Sequence, residues 1–188
     1  MLDLGTEGKH LMEIVAFDED DRADGNGKAG ITWISKTLLN NSYAMNHSGA
    51  TQGGWENSAM RSYLKNTIKP LIPATVRNAI VEVSKVSTTY ENGTLVANGQ
   101  TTTDDVWIPS NHEIYTGGSY ENTGATYVDK FSDNSKRIKK KLGLTTADTW
   151  WTRSVNSGTN YRYVRDTGAL NQIACTNTYG VALGFCTN

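Results

Sequence analysis

The sequence has few of the features that usually announce a chemistry. Two cysteines in 188 residues, Cys175 and Cys186, are too few for a disulfide scaffold, so the fold must rest on burial and hydrogen bonding. No G-x-S-x-G elbow, Walker-type phosphate loop or C-x-x-C pair occurs, which leaves the common hydrolase, P-loop and zinc readings without support. The histidines His10, His47 and His112 are scattered and read as ordinary surface or loop residues, so no metal is expected from them. No apolar run is long enough to cross a bilayer, and Met1-Leu2-Asp3-Leu4 lacks the basic region and apolar stretch of a secretory signal. No membrane insertion and synthesis in the cytosol are therefore expected. A net charge of -1 supplies no cationic excess for phosphate, so nucleic acid is not expected as a partner.

What is present fits one compact domain over residues 1–188, since 37% hydrophobic residues can form a real core. Leu11 to Phe17 reads as a strand buried on both faces. It leads through an acidic loop, Asp18 to Lys28, into a second strand at Ile31–Ser35. Asn57 or Ser58 can cap a helix presenting Ala59, Met60, Tyr63 and Leu64 on one side, with Pro70 at or just after its end. A short helix is expected from Pro73, and a strand through Val81, Val83 and Val86. A turn follows at Glu91-Asn92-Gly93-Thr94, then a brief strand at Val106-Trp107-Ile108 and a capping box formed by Ser110 and Glu113. Gly117 to Gly124 reads as loop, and the basic stretch Ser135–Leu142 as a solvated helix face.

Asp20 to Ile31 fails as an EF-hand because Arg22 and Ile31 occupy ligand positions. The acidic loop therefore reads as a solvated hairpin tip, with an irregular calcium site from Asp18, Asp20 and Asp24 as the alternative. Strands are expected at Trp150–Ser154, Tyr161–Arg165, Leu170–Ala174 and Val181–Cys186, forming an antiparallel meander. A last hairpin centred near Thr178 would set Cys175 opposite Ala182, so the two cysteines should not be cross-strand neighbours. Val164, Gly168 and Leu170 look structural. On a strand, Tyr163, Arg165, Ala169 and Asn171 would face the other way, toward solvent, where Tyr and Arg suit binding hot spots.

Several motifs in order carry a resemblance: Gly54-Trp55-Glu56-Asn57-Ser58 with Arg61 and Leu64, Thr103 to Ser110, Trp150-Trp151-Thr152-Arg153-Ser154, and Gly180 to Cys186. The chain resembles the variable proteins of diversity-generating retroelements, in the C-type-lectin-like branch related to formylglycine-generating enzymes. The resemblance implies an α+β, C-type-lectin-like fold with mixed or antiparallel sheets, two or three short helices and long loops. It also implies a variable ligand-binding segment within residues 150–186. In that family adenines, often in asparagine codons, are mutagenised, and such codons reach the residue types found at Tyr163, Arg165, Asp166, Thr167, Ala169, Ile173, Cys175 and Thr176. Asn156, Asn160, Asn171 and Asn177 would be unchanged asparagines, and Thr159, Gln172 and Tyr179 complete the candidate binding set.

The function so implied is recognition without catalysis or cofactor: a phage-tail or prophage-encoded module, made in the bacterial cytoplasm, that binds a bacterial surface protein or glycan. Homo-oligomer formation is left open. Two alternatives belong to other classes, namely an oxidase like the formylglycine-generating group and a structural virion protein with no ligand. Cys175 and Cys186 stand farther apart than the catalytic cysteines of the oxidases, which counts against the first.

Overall fold

The computed structural model describes residues 1–115, 117 and 121–188. Of the loop expected over Gly117 to Gly124, residues 118–120 lie outside the described residues. Strands β1 (Leu2–Asp3) and β2 (Lys9–His10) form a short antiparallel pair. They lead into β3 (Met12–Phe17) and β4 (Ile31–Ser35), the hairpin expected from the sequence. β3 is not buried on both faces: Val15 is buried, whereas Phe17 is 64% exposed, because β3 forms one edge of its sheet and its end follows the loop outward.

After β5 (Tyr43–Ala44), the Ser58 hydroxyl accepts a hydrogen bond from the Arg61 amide and starts α1 (Ala59–Tyr63). The chain does not stop before Pro70. A π-helical turn at Leu64–Ile68 carries it into α2 (Lys69–Leu71), with Pro70 in the first turn. A wider turn accommodates a residue that lacks an N–H and crowds the preceding carbonyls. α3 (Ala74–Arg77) follows Pro73 as expected.

Next come β6 (Ile80–Val81), β7 (Val83–Glu91) and β8 (Thr94–Asp104). The last two form a long hairpin turned at Asn92 and Gly93, whose φ values of 50° and 81° suit a tight two-residue loop. α4 (Asn111–Ile114) carries the full capping box of Ser110 and Glu113. The basic stretch forms only one turn, α5 (Asn134–Arg137), and is not a solvated face: Arg137 and Lys139 are each 4% exposed.

The late strands are β9 (Trp150–Val155), β10 (Asn160–Val164), β11 (Leu170–Ala174), β12 (Thr178–Tyr179) and β13 (Gly184–Thr187). β9, β10 and β11 make the expected antiparallel meander, with β11 at its edge. The last hairpin does not form. β13 instead enters the first sheet, giving the order β3-β4-β13-β6, while β12 pairs with β5. Gly184 exchanges backbone hydrogen bonds with Trp107, and a Cβ there would lie 2.5 Å from the Trp107 ring, so this indole fixes where the strand docks.

The architecture is therefore α+β, with mostly antiparallel sheets and short helices, around a core in which Trp55, Trp107, Trp150 and Trp151 have no accessible surface. Each such side chain contributes about 1.5–3 kcal/mol by burial. Among the described residues no helix is long and apolar enough to cross a membrane.

Candidate binding surface and a buried ionic cluster

All six residues of β9 are buried, so the meander sits on a rigid base. Pairing of β10 with β11 puts Tyr161, Tyr163, Asn171 and Ile173 on one face, and Arg162, Val164, Leu170 and Gln172 on the other. At one end the turn exposes Arg165, Asp166 and Thr167, with Ala169 half-buried beside them. Gly168, at φ 79°, packs against α5: a Cβ there would lie 1.8 Å from the Asn134 carbonyl oxygen, and the Arg137 Nε donates to its carbonyl at 2.9 Å.

At the other end lie exposed Thr159 and Thr176 with half-buried Asn156, Asn160 and Asn177. Asn171, Ile173 and Tyr179 are half-buried, and Gln172 is exposed on the edge strand. The structure thus gathers the candidates into two groups, separated by the length of a five-residue strand, about 15 Å.

Two candidates do not face solvent. Tyr163, expected outward, is 8% exposed because its ring packs 4.8 Å from that of Tyr179 and edge-on to Trp151 at 6.2 Å. Cys175 has no accessible surface. Its thiol donates to the Ser48 carbonyl at 3.2 Å, and its amide donates to the Thr159 carbonyl at 2.9 Å.

Residues that sequence reasoning did not select flank the second group. Thr51 donates through its amide to the Gly158 carbonyl at 3.1 Å and through its hydroxyl to that of Ser157 at 2.6 Å. Gly158 also abuts the Tyr90 ring. Next to these contacts, Gln52, Gly53, Asn57, Glu91 and Asn92 line an open polar cleft of about 580 Å³.

A second constellation lies inside the molecule and has no counterpart in the expectations. Asp20, placed by sequence in a solvated tip, has no accessible surface and pairs with Lys85, itself 1% exposed. The Lys85 ammonium also donates to Glu113 Oε1 at 3.0 Å and to the Tyr127 hydroxyl at 2.7 Å, and it lies 3.4 Å from the centre of the Trp107 ring. Tyr127 donates to the Asp20 carboxylate at 2.8 Å, and Thr32 donates to Asp20 Oδ2 at 2.5 Å. Arg153 holds Glu113 with both terminal nitrogens, at 2.6 and 2.8 Å, and binds the carbonyls of Ile108 and Val86.

Burial pushes the Glu113 carboxyl up, but Arg153 and Lys85 outweigh it and hold the group down at about 2. Burial lowers Lys85, and the adjacent Asp20 and Glu113 reverse this and raise it. Within this group of four, two cations and two carboxylates therefore balance.

Around this cluster, the acidic loop is exposed at Asp18 and again at Asp21, and turns inward at Asp20. Asp18, Asp20 and Asp24 do not converge: Asp20 points inward, and Asp24 is held by Arg22 at 2.6 Å. His10 is likewise buried rather than at the surface, with its ring between the Glu7 carbonyl at 2.7 Å and the Thr37 hydroxyl at 3.2 Å. The cysteines are both free. Burial raises both thiols, Cys186 to about 12.

No curated protein and no solved structure matches the chain. Residues 29–186 match the family described as a domain of unknown function, DUF6273, and the chain belongs to that family.

Proposed function

We propose that the chain is a ligand-binding display module with a C-type-lectin-like fold, of the kind encoded with diversity-generating retroelements, and that its partner is a bacterial surface protein or glycan. One observation carries the reading: a wholly buried strand, β9, supports a turn and an edge strand that project Arg165, Asp166, Thr167 and Gln172 into solvent. Side chains at these positions change at little cost to folding, whereas Arg and its polar neighbours supply charge-assisted and adaptable hydrogen bonds to a partner. Tyr163 and Cys175 support the surface from below. The turn at 156–160 and the adjoining polar cleft extend it at the far end of the strands.

The test is binding of labelled protein to a panel of bacterial cells and immobilised glycans, with Arg165, Asp166, Thr167 and Gln172 replaced together by alanine in a second sample. Loss of binding at an unchanged melting temperature supports the proposal. Wild-type protein that binds nothing, or binding indifferent to the four changes, overturns it. In the genome, the family reading requires a reverse transcriptase gene nearby and a near-copy of the segment encoding residues 150–186 that differs at adenines.

A further inference from the structure

We propose that Lys85 and Asp20 become joined by an isopeptide bond, with Glu113 as the proton relay. This inference is independent of the binding surface.

The reacting groups are already in place. Lys85 on β7 and Asp20 after β3, which are 65 positions apart, meet as an ion pair with no access to water. Glu113 Oε1 accepts a hydrogen bond from the same ammonium at 3.0 Å. Trp107 and Tyr127 enclose the pair. The ring faces and the two carboxylates hold Lys85 as the ammonium, so passing its proton to Asp20 is the uphill step, and the enclosure keeps out water that would separate the two groups. A nucleophile and an electrophile fixed in contact also react at a high effective concentration.

The step balances without an outside reagent. Transfer of one proton from the Lys85 ammonium to Asp20 gives the amine and the carboxylic acid. Nζ then attacks Cγ of Asp20, forming the C–N bond. The tetrahedral oxygen is stabilised by the Tyr127 and Thr32 hydroxyls, which already donate to the Asp20 carboxylate at 2.8 and 2.5 Å. Glu113 takes a proton from the nitrogen and returns it to the departing hydroxyl. The C–O bond breaks, one water leaves, and Glu113 is a carboxylate again.

Charge stays balanced throughout. The two charges that vanish are one of each sign, and the bidentate Arg153–Glu113 ion pair, interrupted only while Glu113 carries the relayed proton, is restored when that proton leaves. Cys186, whose Sγ is 3.5 Å from Asp20, does not compete as a nucleophile, because burial keeps its thiol protonated.

The test is the mass of the intact, denatured full chain, followed by proteolytic mapping. The expected result is a mass lower than that of the sequence by one water, with a branched peptide joining the Asp20 and Lys85 segments. Lys85→Arg and Glu113→Gln should both restore the full mass. The closed loop, whose ends are 65 positions apart, should also speed migration in a denaturing gel.

A wild-type chain at full sequence mass after prolonged incubation in the folded state overturns the proposal. So does a water loss that maps to a cyclic imide at Asp24-Gly25 and leaves the Lys85 peptide unbranched. A bond that still forms in Glu113→Gln overturns the role given to Glu113.

Discussion

Replacing Lys139 with methionine should make the protein more stable at pH 7. Lys139 is buried, its ammonium donates to the Ser35 carbonyl at 2.6 Å, and it faces the rings of Trp150 and Phe131 at 5.6 and 5.7 Å. No carboxylate pairs with it among the described residues; Glu13 acts only at a distance, and Lys36 opposes it. Burial therefore lowers its pKa from the usual 10.5 to about 8.

The sign follows from proton counting. Between about pH 8 and 10.5 the unfolded chain holds the proton that the folded one has lost, so stability rises with pH across that window. Below it both states are charged, and the fold carries the full penalty of roughly 3 kcal/mol, at about 1.4 kcal/mol per tenfold. Methionine removes that penalty but leaves the Ser35 carbonyl without its donor, which costs about 1 kcal/mol. The net gain is on the order of 2 kcal/mol at pH 7 and close to nothing at pH 10. Urea unfolding of both proteins at the two pH values reads the difference directly. A variant that is less stable at pH 7, or a gain that is equal at both pH values, would refute the reasoning.

Arg153→Met should cost roughly 3–5 kcal/mol in urea unfolding, because it strands a buried carboxylate. In the wild type, the stability that Glu113 contributes is present above its usual pKa of 4.5 and should drain away as the pH falls from there toward 2. Tyr163→Ala should cost about 3 kcal/mol, whereas Gln172→Ala should stay within about 0.5 kcal/mol; equal effects on the melting temperature would contradict the burial assigned to them. Gly168→Ala meets both a φ of 79° and the Asn134 carbonyl, and should lower the melting temperature by several degrees; Gly143→Ala, which shares the positive φ of 80° but meets no neighbour within 4 Å, should cost less, and equal losses would refute the role of the Asn134 contact.

Much of the local structure was readable because it is written in neighbouring residues. The Ser58 cap, the Ser110–Glu113 capping box, the Asn92-Gly93 turn and the β3–β4 and β10–β11 pairs all depend on residues that are neighbours or consecutive strands in sequence. What could not be read depends on distant pairing. Nothing near Gly184 says that its partner is Ile34 rather than β11, and Phe185 meets Trp33 only once the whole chain is folded.

Charge patterning failed for the same reason. Asp20 sits in an acidic loop that suggests solvent, and its partner Lys85, between Val83 and Val86, is 65 positions away. Arg137 and Lys139 were hidden in a basic run whose outer members, such as Lys136 and Lys140, do face water. For the binding surface, Arg165 is exposed as expected, but strand alternation set Gln172 on the inward side with Leu170, whereas Gln172 is exposed and Asn171 half-buried. It failed at Tyr163 because both faces of β10 are covered, one of them by the Tyr179 ring, and alternation reports only which side a residue takes.

The position of β13 bears on how the protein is made. A ribosome delivers Ile31–Ser35 long before Gly184–Thr187, the segment that zips against it; Trp33 and Thr187, joined by a side-chain hydrogen bond, are 154 positions apart. Throughout that interval the nascent hairpin offers a bare, apolar margin to anything nearby, and the sheet closes only after the late segment has emerged. The free margin of β4 is therefore covered only by a segment made more than a hundred residues later.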